Sequence, residues 1–210
     1  MEVNLKIGIN YRGTPQELHG CINDAKNVQQ FLINNWNYKA EDIVLLTDDA
    51  TNPRQIPTRQ NIIEAMHWLV NGAHPHDSLF FHYSGHGGQV KDKDGDELDG
   101  FDENLPYRYH TDGRAKGSQV TASHRKEKST PADVISWSGC KDSQTSADTW
   151  EAGVATGAMS FAFMSCLRTN PHQSYQDLLR SIRNILHDRY SQKPQLSSSH
   201  PIDTGLQFIM

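Results

Sequence analysis

Cysteine is scarce in this chain: Cys21, Cys140 and Cys166 are the only three in 210 residues. An odd number at wide spacing excludes a disulfide framework and points to a reducing compartment. No Cys/His group has zinc-ligand spacing. No apolar stretch approaches the roughly 18 residues of a membrane span, and no charged-then-apolar start marks a signal peptide. A cytoplasmic setting without membrane attachment is therefore expected. Positive charge is also short, with 20 Lys and Arg against 25 Asp and Glu for a net charge of -5. The basic clusters, such as "HRKEK" at 124–128, are brief and mixed in sign, so nucleic acid is not an expected partner. Neither Gly-x-Gly-x-x-Gly nor a Lys-bearing P-loop follows the first apolar run, which argues against a nucleotide binder. The hydrophobic share is 36% and the mean hydropathy -0.68. Both are low for an α/β domain, so part of the chain is expected outside the core.

What is present alternates between two periods. "LKIGIN" at 5–10 reads as a short strand, and "NDAKNVQQFLINN" at 23–35 as a helix capped by Asn23 or Asp24. "DIVLLTD" at 42–48 reads as a second strand. Thr58 then caps a helix in which Ile62, Ile63, Met66, Leu69 and Val70 keep a helical period. "SLFFHYSGHGGQ" at 78–89 is a third apolar run, ending in Ser84, Gly85, His86 and two more glycines. Later come "DVISWSG" at 133–139, helices near 157–169 and 174–188, and a last strand "LQFIM" at 206–210. This order predicts one wound, largely parallel α/β domain over residues 1–210. Residues 89–132 hold no apolar run of four and no helical period, and read as a long polar loop within that domain.

Ligands of open parallel sheets bind beyond the carboxyl ends of the strands, where His86 is placed among glycines that let a substrate approach. A histidine needs a partner before it acts as a base. Cys140 follows the fourth apolar run and can share that rim, whereas Cys21 precedes the first helix, where a helix N-terminus favours the thiolate. Cys166, in "FAFMSCLRT", reads as a buried free cysteine. Ser84 is a weaker nucleophile, since no acid is marked to orient His86 in the manner of a serine triad.

The segments "KIGINYRGTPQELHGCINDAKNV", "HYSGHGGQVKDKDGDELDGFDE", "DVISWSGCKDSQTSAD", "GAMSFAF" and "YSQKPQLSSSHPID" resemble the fungal-type metacaspases, a family of caspase-like cysteine endopeptidases. The resemblance implies a caspase-like three-layer α/β sandwich with a mostly parallel sheet. It also implies protein or peptide substrates cleaved after Arg or Lys, stimulation by calcium, and His86 as general base of a Cys-His dyad. Asp24 and Ser84 match positions that line the family's basic-residue pocket, and Asp102 matches one calcium-coordinating carboxylate. The acidic run offers Asp92, Asp94, Asp96 and Glu103 at EF-hand-like offsets, but Glu97 stands where that loop requires glycine.

One departure dominates the comparison. Family members carry the nucleophile in an Asp-x-Cys-His-Ser-Gly segment at the end of a further central strand, between the acidic stretch and "LPYxY". Here "GFDE" runs directly into "NLPYRY". The resemblance therefore implies that one central strand and its cysteine are missing, with activity absent or impaired. Cys140 and Cys21 remain as substitute nucleophiles for His86, although the family keeps the matching residues at or near the substrate pocket. The alternative is a non-catalytic relative that binds basic peptides or regulates an intact family member. Losing a central strand also unpairs two neighbours. Direct closure of strand 78–84 onto strand 133–139 is the least costly repair. Self-association through the open edge, or pairing with an intact relative, is the other.

Overall fold

The computed structural model describes residues 2–88, 105–115, 125–126, 130–139, 148–151, 154–187, 190 and 192–209. The chain divides into two units, residues 1–86 with 147–164 and residues 87–146 with 165–209. Each is taken by itself.

In the first unit, β1 (Glu2–Gly8), β2 (Ile43–Thr47) and β3 (Ser78–Ser84) form a parallel sheet in the order β2-β1-β3. Val3, Leu5 and Ile7 alternate along β1 and bury one face against Ala65 and Leu69 of α2 (Arg59–Val70), with Leu46 of β2. The opposite face lies under α1 (Cys21–Trp36), whose Ala25, Val28, Phe31 and Leu32 are buried. Gly8 allows the closest approach, because a Cβ there would stand 2.5 Å from the Cys21 carbonyl and 2.9 Å from the Ala25 methyl. A three-layer α/β/α arrangement results. Thr58 caps α2 as its sequence predicts, accepting from the Asn61 amide at 3.2 Å.

Helix α1 begins earlier than its sequence indicates. Gly20 is its cap, and Asn23 and Asp24 turn their side chains toward a hairpin of β6 (Asp148–Glu151) and β7 (Val154–Gly157) that periodicity does not reveal. Helix α3 (Ala158–Thr169) follows directly.

The second unit holds an antiparallel sheet of β4 (Tyr107–Tyr109), β8 (Gln195–Ser198) and β5 (Ile135–Ser138), with β8 central. Tyr109 and Leu196 pack with Leu179 of α4 (Tyr175–His187), whose Leu178, Ile182 and Leu186 are also fully buried.

Three expectations change. Strand β3 does not close onto residues 135–138, which pair with β8 instead, so among the described residues β3 has β1 as its one ladder neighbour. Tyr107–Tyr109 is a strand inside the stretch read as loop, although it lies at a sheet edge and supplies no central strand. Of the run read as the last strand, the described residues 206–209 make no strand: Leu206 and Ile209 are exposed, and Phe208 is buried edge-on to Trp137 and Tyr175. The last strand is the polar Gln195–Ser198, held by ladders on both sides and by a 3.1 Å hydroxyl contact between Tyr109 and Ser198.

The face of β1 toward α1 carries a liability. Asn4 and Lys6 are fully buried, and neither the Asn4 amide nor the Lys6 ammonium finds a hydrogen-bond partner among the described residues. The nearest compensation is the Phe80 ring, 5.6 Å from Lys6 Nζ. Burial lowers the Lys6 pKa from 10.5 to about 7. Between those values the unfolded chain holds a proton that the folded chain has released, so stability rises with pH across that window. Lys6→Met is expected to raise stability at pH 7 by about 2–4 kcal/mol and to flatten the rise between pH 7 and 10. Urea denaturation across that range checks both. An unchanged midpoint with the slope retained contradicts the burial of this amine.

Candidate active site

The carboxyl ends of β1, β2 and β3 are laced together. Asp48, just after β2, accepts the amides of Asn10 at 2.9 Å and Arg12 at 3.3 Å in the loop that leaves β1. The Asn10 side chain accepts the amide of Ile22 in the first turn of α1, at 3.1 Å. Tyr11, in the left-handed region at φ 53°, places its hydroxyl 2.9 Å from that of Tyr83 and accepts the His86 amide at 3.1 Å. The Tyr83 hydroxyl donates to the His86 carbonyl at 2.8 Å. His86 is thus gripped at both its main-chain groups by residues from two strand ends.

Its ring is held too. His86 Nε2 lies 2.7 Å from the Gln16 carbonyl, and the ring packs on Tyr11 with centroids 4.6 Å apart. A carbonyl only accepts, so Nε2 carries a proton in this contact, and in the neutral tautomer that makes it the lone pair falls on Nδ1. An exposed imidazole in this tautomer is arranged to take a proton from a neighbouring acid through Nδ1. Its hydrogen bonds run to Gln16, Tyr11 and Tyr83, and among the described residues no thiol is joined to the ring. Cys21 is buried at the start of α1, close enough to Tyr83 to contribute to raising that phenol's pKa. Cys166 is buried in α3, where desolvation lifts its thiol to about 11. Cys140 lies outside the described residues.

Asp24 and Ser84 are brought together as their sequence positions require, with the Ser84 hydroxyl donating to Asp24 Oδ2 at 2.9 Å. The rest of that environment is not visible in the sequence. Asp24 Oδ1 accepts the Gly157 amide at 2.7 Å and the Thr156 hydroxyl, and Ser160 adds another side-chain hydrogen bond. Burial pushes the Asp24 pKa up, against the downward pull of these donors, named in order Thr156, Gly157, Ser84 and Ser160. The carboxylate is 1% exposed and engaged on both oxygens. A Cβ at Gly157 would run into Asp24 Oδ2, so glycine is required for this approach. Ser160 also reaches His82 of β3, with Nε2 to Oγ at 3.3 Å. Burial and the neighbouring Lys6 lower the His82 pKa to about 4.

Among the described residues no group of three or more His, Cys, Asp or Glu side chains could hold a metal ion, and no helix is long and apolar enough to cross a membrane. Asp102 and the acidic run at 92–103 lie outside them.

Residues 4–126 match the family described as Metacaspase, peptidase C14 domain, and residues 103–204 match the Caspase domain family. The chain is 47% identical to Metacaspase-1 of Cryptococcus neoformans var. neoformans serotype D and 43% identical to Metacaspase-1A of Neurospora crassa. In each case 98% of this chain and 64% of the relative are covered. Against Metacaspase-1A of Aspergillus clavatus the identity is 43%, over 98% of this chain and 68% of that protein. The Cryptococcus alignment runs over 291 positions, against 210 residues in the whole chain, so at least 81 of its positions have no residue here. A crystal structure of a Geobacter sulfurreducens protein shares the fold with a TM-score of 0.64 at 19% identity, covering 99% of this chain and 97% of that one. The fold is caspase-like α/β.

Asp24→Ala is expected to destabilise the chain by about 3 kcal/mol or more, since it strands buried donors from three elements at roughly 1–3 kcal/mol each. Ser84→Ala, which removes a single donor, is expected to lose about 1 kcal/mol. Chemical denaturation of both variants checks the ranking. Equal losses would deny Asp24 its joining role.

Proposed function

Because the chain belongs to the metacaspase family, we propose that it is a metacaspase-type cysteine endopeptidase by architecture, acting on peptide bonds after Arg or Lys and impaired in the form described by this sequence. One observation carries the reading. His86 is fixed in the tautomer a general base needs, at the carboxyl ends of the parallel strands, with Nδ1 free to receive a proton from a thiol. Among the described residues no thiol stands against that nitrogen. Attack requires a sulfur within hydrogen-bond reach of that nitrogen, and a misplacement of about 1 Å can reduce the rate on the order of a hundredfold. Cys21, buried in the first turn of α1, and Cys140 are the substitute nucleophiles this proposal admits.

The basic-residue preference rests on Asp24. A buried carboxylate that meets substrate Arg or Lys makes a strong charge-assisted hydrogen bond, but here the Thr156, Gly157, Ser84 and Ser160 donors must first give way. Calcium stimulation through Asp102, a cytoplasmic setting and self-association or pairing with an intact relative belong to the same proposal. A second reading follows from Asp24 being fully engaged: the chain is a non-catalytic relative that regulates an intact one.

A fluorogenic peptide ending in Arg or Lys, assayed with and without calcium, separates the two readings. The expected result is turnover at least a hundredfold below an intact family member; a residual rate abolished by His86→Ala and by one of Cys21→Ala or Cys140→Ala would instead identify a substitute nucleophile. Turnover indifferent to His86→Ala is contamination and leaves the regulatory reading. Turnover equal to an intact member overturns the impairment.

A further inference from the structure

Strand β3 has its amphipathicity reversed. Ser78, Phe80, His82 and Ser84 point to the more buried face, while Leu79, Phe81 and Tyr83 are 37, 45 and 41% exposed. In register they stand beside Val3, Leu5 and Ile7, whose side chains are covered by α2. The apolar face of the sheet thus continues past β1 onto β3 and is left open there. A contiguous exposed apolar stripe of this kind marks an interaction surface.

The backbone of β3 is open as well. Among the described residues it pairs with β1 alone, and its seven residues contain no Lys, Arg, Asp, Glu or Pro. Charge and proline, two usual devices for blunting a sheet edge, are thus absent from the strand itself. The alignment with the Cryptococcus relative leaves room for a further strand there, since at least 81 of its positions have no residue in this chain.

We propose that the β3 edge pairs with the β3 edge of a second copy, antiparallel about a two-fold axis at Phe81, joining the two sheets into one. Register decides the geometry. Keeping the apolar residues on one face restricts the pairing to even steps, and full overlap of Ser78–Ser84 sets Phe81 against Phe81 and Leu79 against Tyr83. The stripe then runs unbroken across both copies. A two-fold contact of this sort is self-complementary and closes at two chains. Charge permits it: the strand is neutral apart from the buried His82, and the register takes Asp77 of one copy to the Gly85–His86 turn of the other, so like charges do not meet. An intact relative is a poorer occupant, because its corresponding edge is expected to be filled by its own additional strand. A seven-residue edge covers less than the roughly 800 Å² per partner of a standard stable interface, so the dimer is concentration-dependent.

The inference deepens the self-association proposed above, and its readout is mass, so it stands or falls apart from peptidase activity. Sedimentation of the full chain from about 1 to 100 μM, in the range where such weak contacts form, is expected to move from one chain mass to two. Phe81→Lys and Leu79→Lys, both at exposed positions, are expected to remain at one chain mass with unchanged far-UV circular dichroism. Mild oxidation is expected to cross-link Phe81→Cys chains, to leave Leu79→Cys chains uncoupled, and to couple the Leu79→Cys, Tyr83→Cys double variant. A monomer at all concentrations overturns the proposal. So do a dimer that survives Phe81→Lys, an open series of larger species, and a chain that stays single alone but co-sediments with an intact metacaspase.

Discussion

The carboxylate of Asp24 is the point on which the first unit turns. It lies in the first turn of α1, takes the Ser84 hydroxyl from the end of β3, the Gly157 amide and Thr156 hydroxyl from β7, and a hydroxyl from the start of α3. Elements remote in sequence are joined at one buried acid. The neighbouring glycines explain how they come so close, since Gly8 lets α1 settle on β1 and Gly157 lets β7 settle on Asp24. With α1 fixed, the loop from Asn10 to Gly20 is fixed, and Gln16 of that loop orients His86. Asp24 and His86 are therefore linked through structure rather than by direct contact.

Much of this was legible in the sequence, and the misses have physical causes. Period-two and helical patterns gave β1, β2, α1, α2, α3 and α4 because each buries apolar residues on one face, and β3 was legible as an apolar run although its Leu79, Phe81 and Tyr83 are exposed. Asp24, Ser84 and His86 were legible as a group through the family resemblance. The β6–β7 hairpin was not, since its four-residue strands carry no alternating pattern. The last strand was misplaced because an apolar run such as 206–210 can bury Phe208 without joining a ladder, whereas Gln195–Ser198 joins two ladders with polar side chains. Gln16 was invisible for a simpler reason. It acts through its main-chain carbonyl, which every residue type offers.

The same sheet shows what a shortened chain leaves exposed. The polar Asn4 and Lys6 are buried on one face, while Leu79, Phe81 and Tyr83 are open on the other. Both are departures from the rule that polar groups face water and apolar groups face the core. They fall on β1, the central strand, and on β3, which pairs with β1 alone among the described residues.

The central claim is that His86 is an oriented base without a thiol to activate. A thiol-directed covalent inhibitor bearing Arg, followed by mass spectrometry of the intact chain, tests it most directly. Slow labelling of any cysteine, at a rate that His86→Ala does not change, is the predicted result. Stoichiometric labelling of Cys21 or Cys140 that disappears with His86→Ala would contradict it.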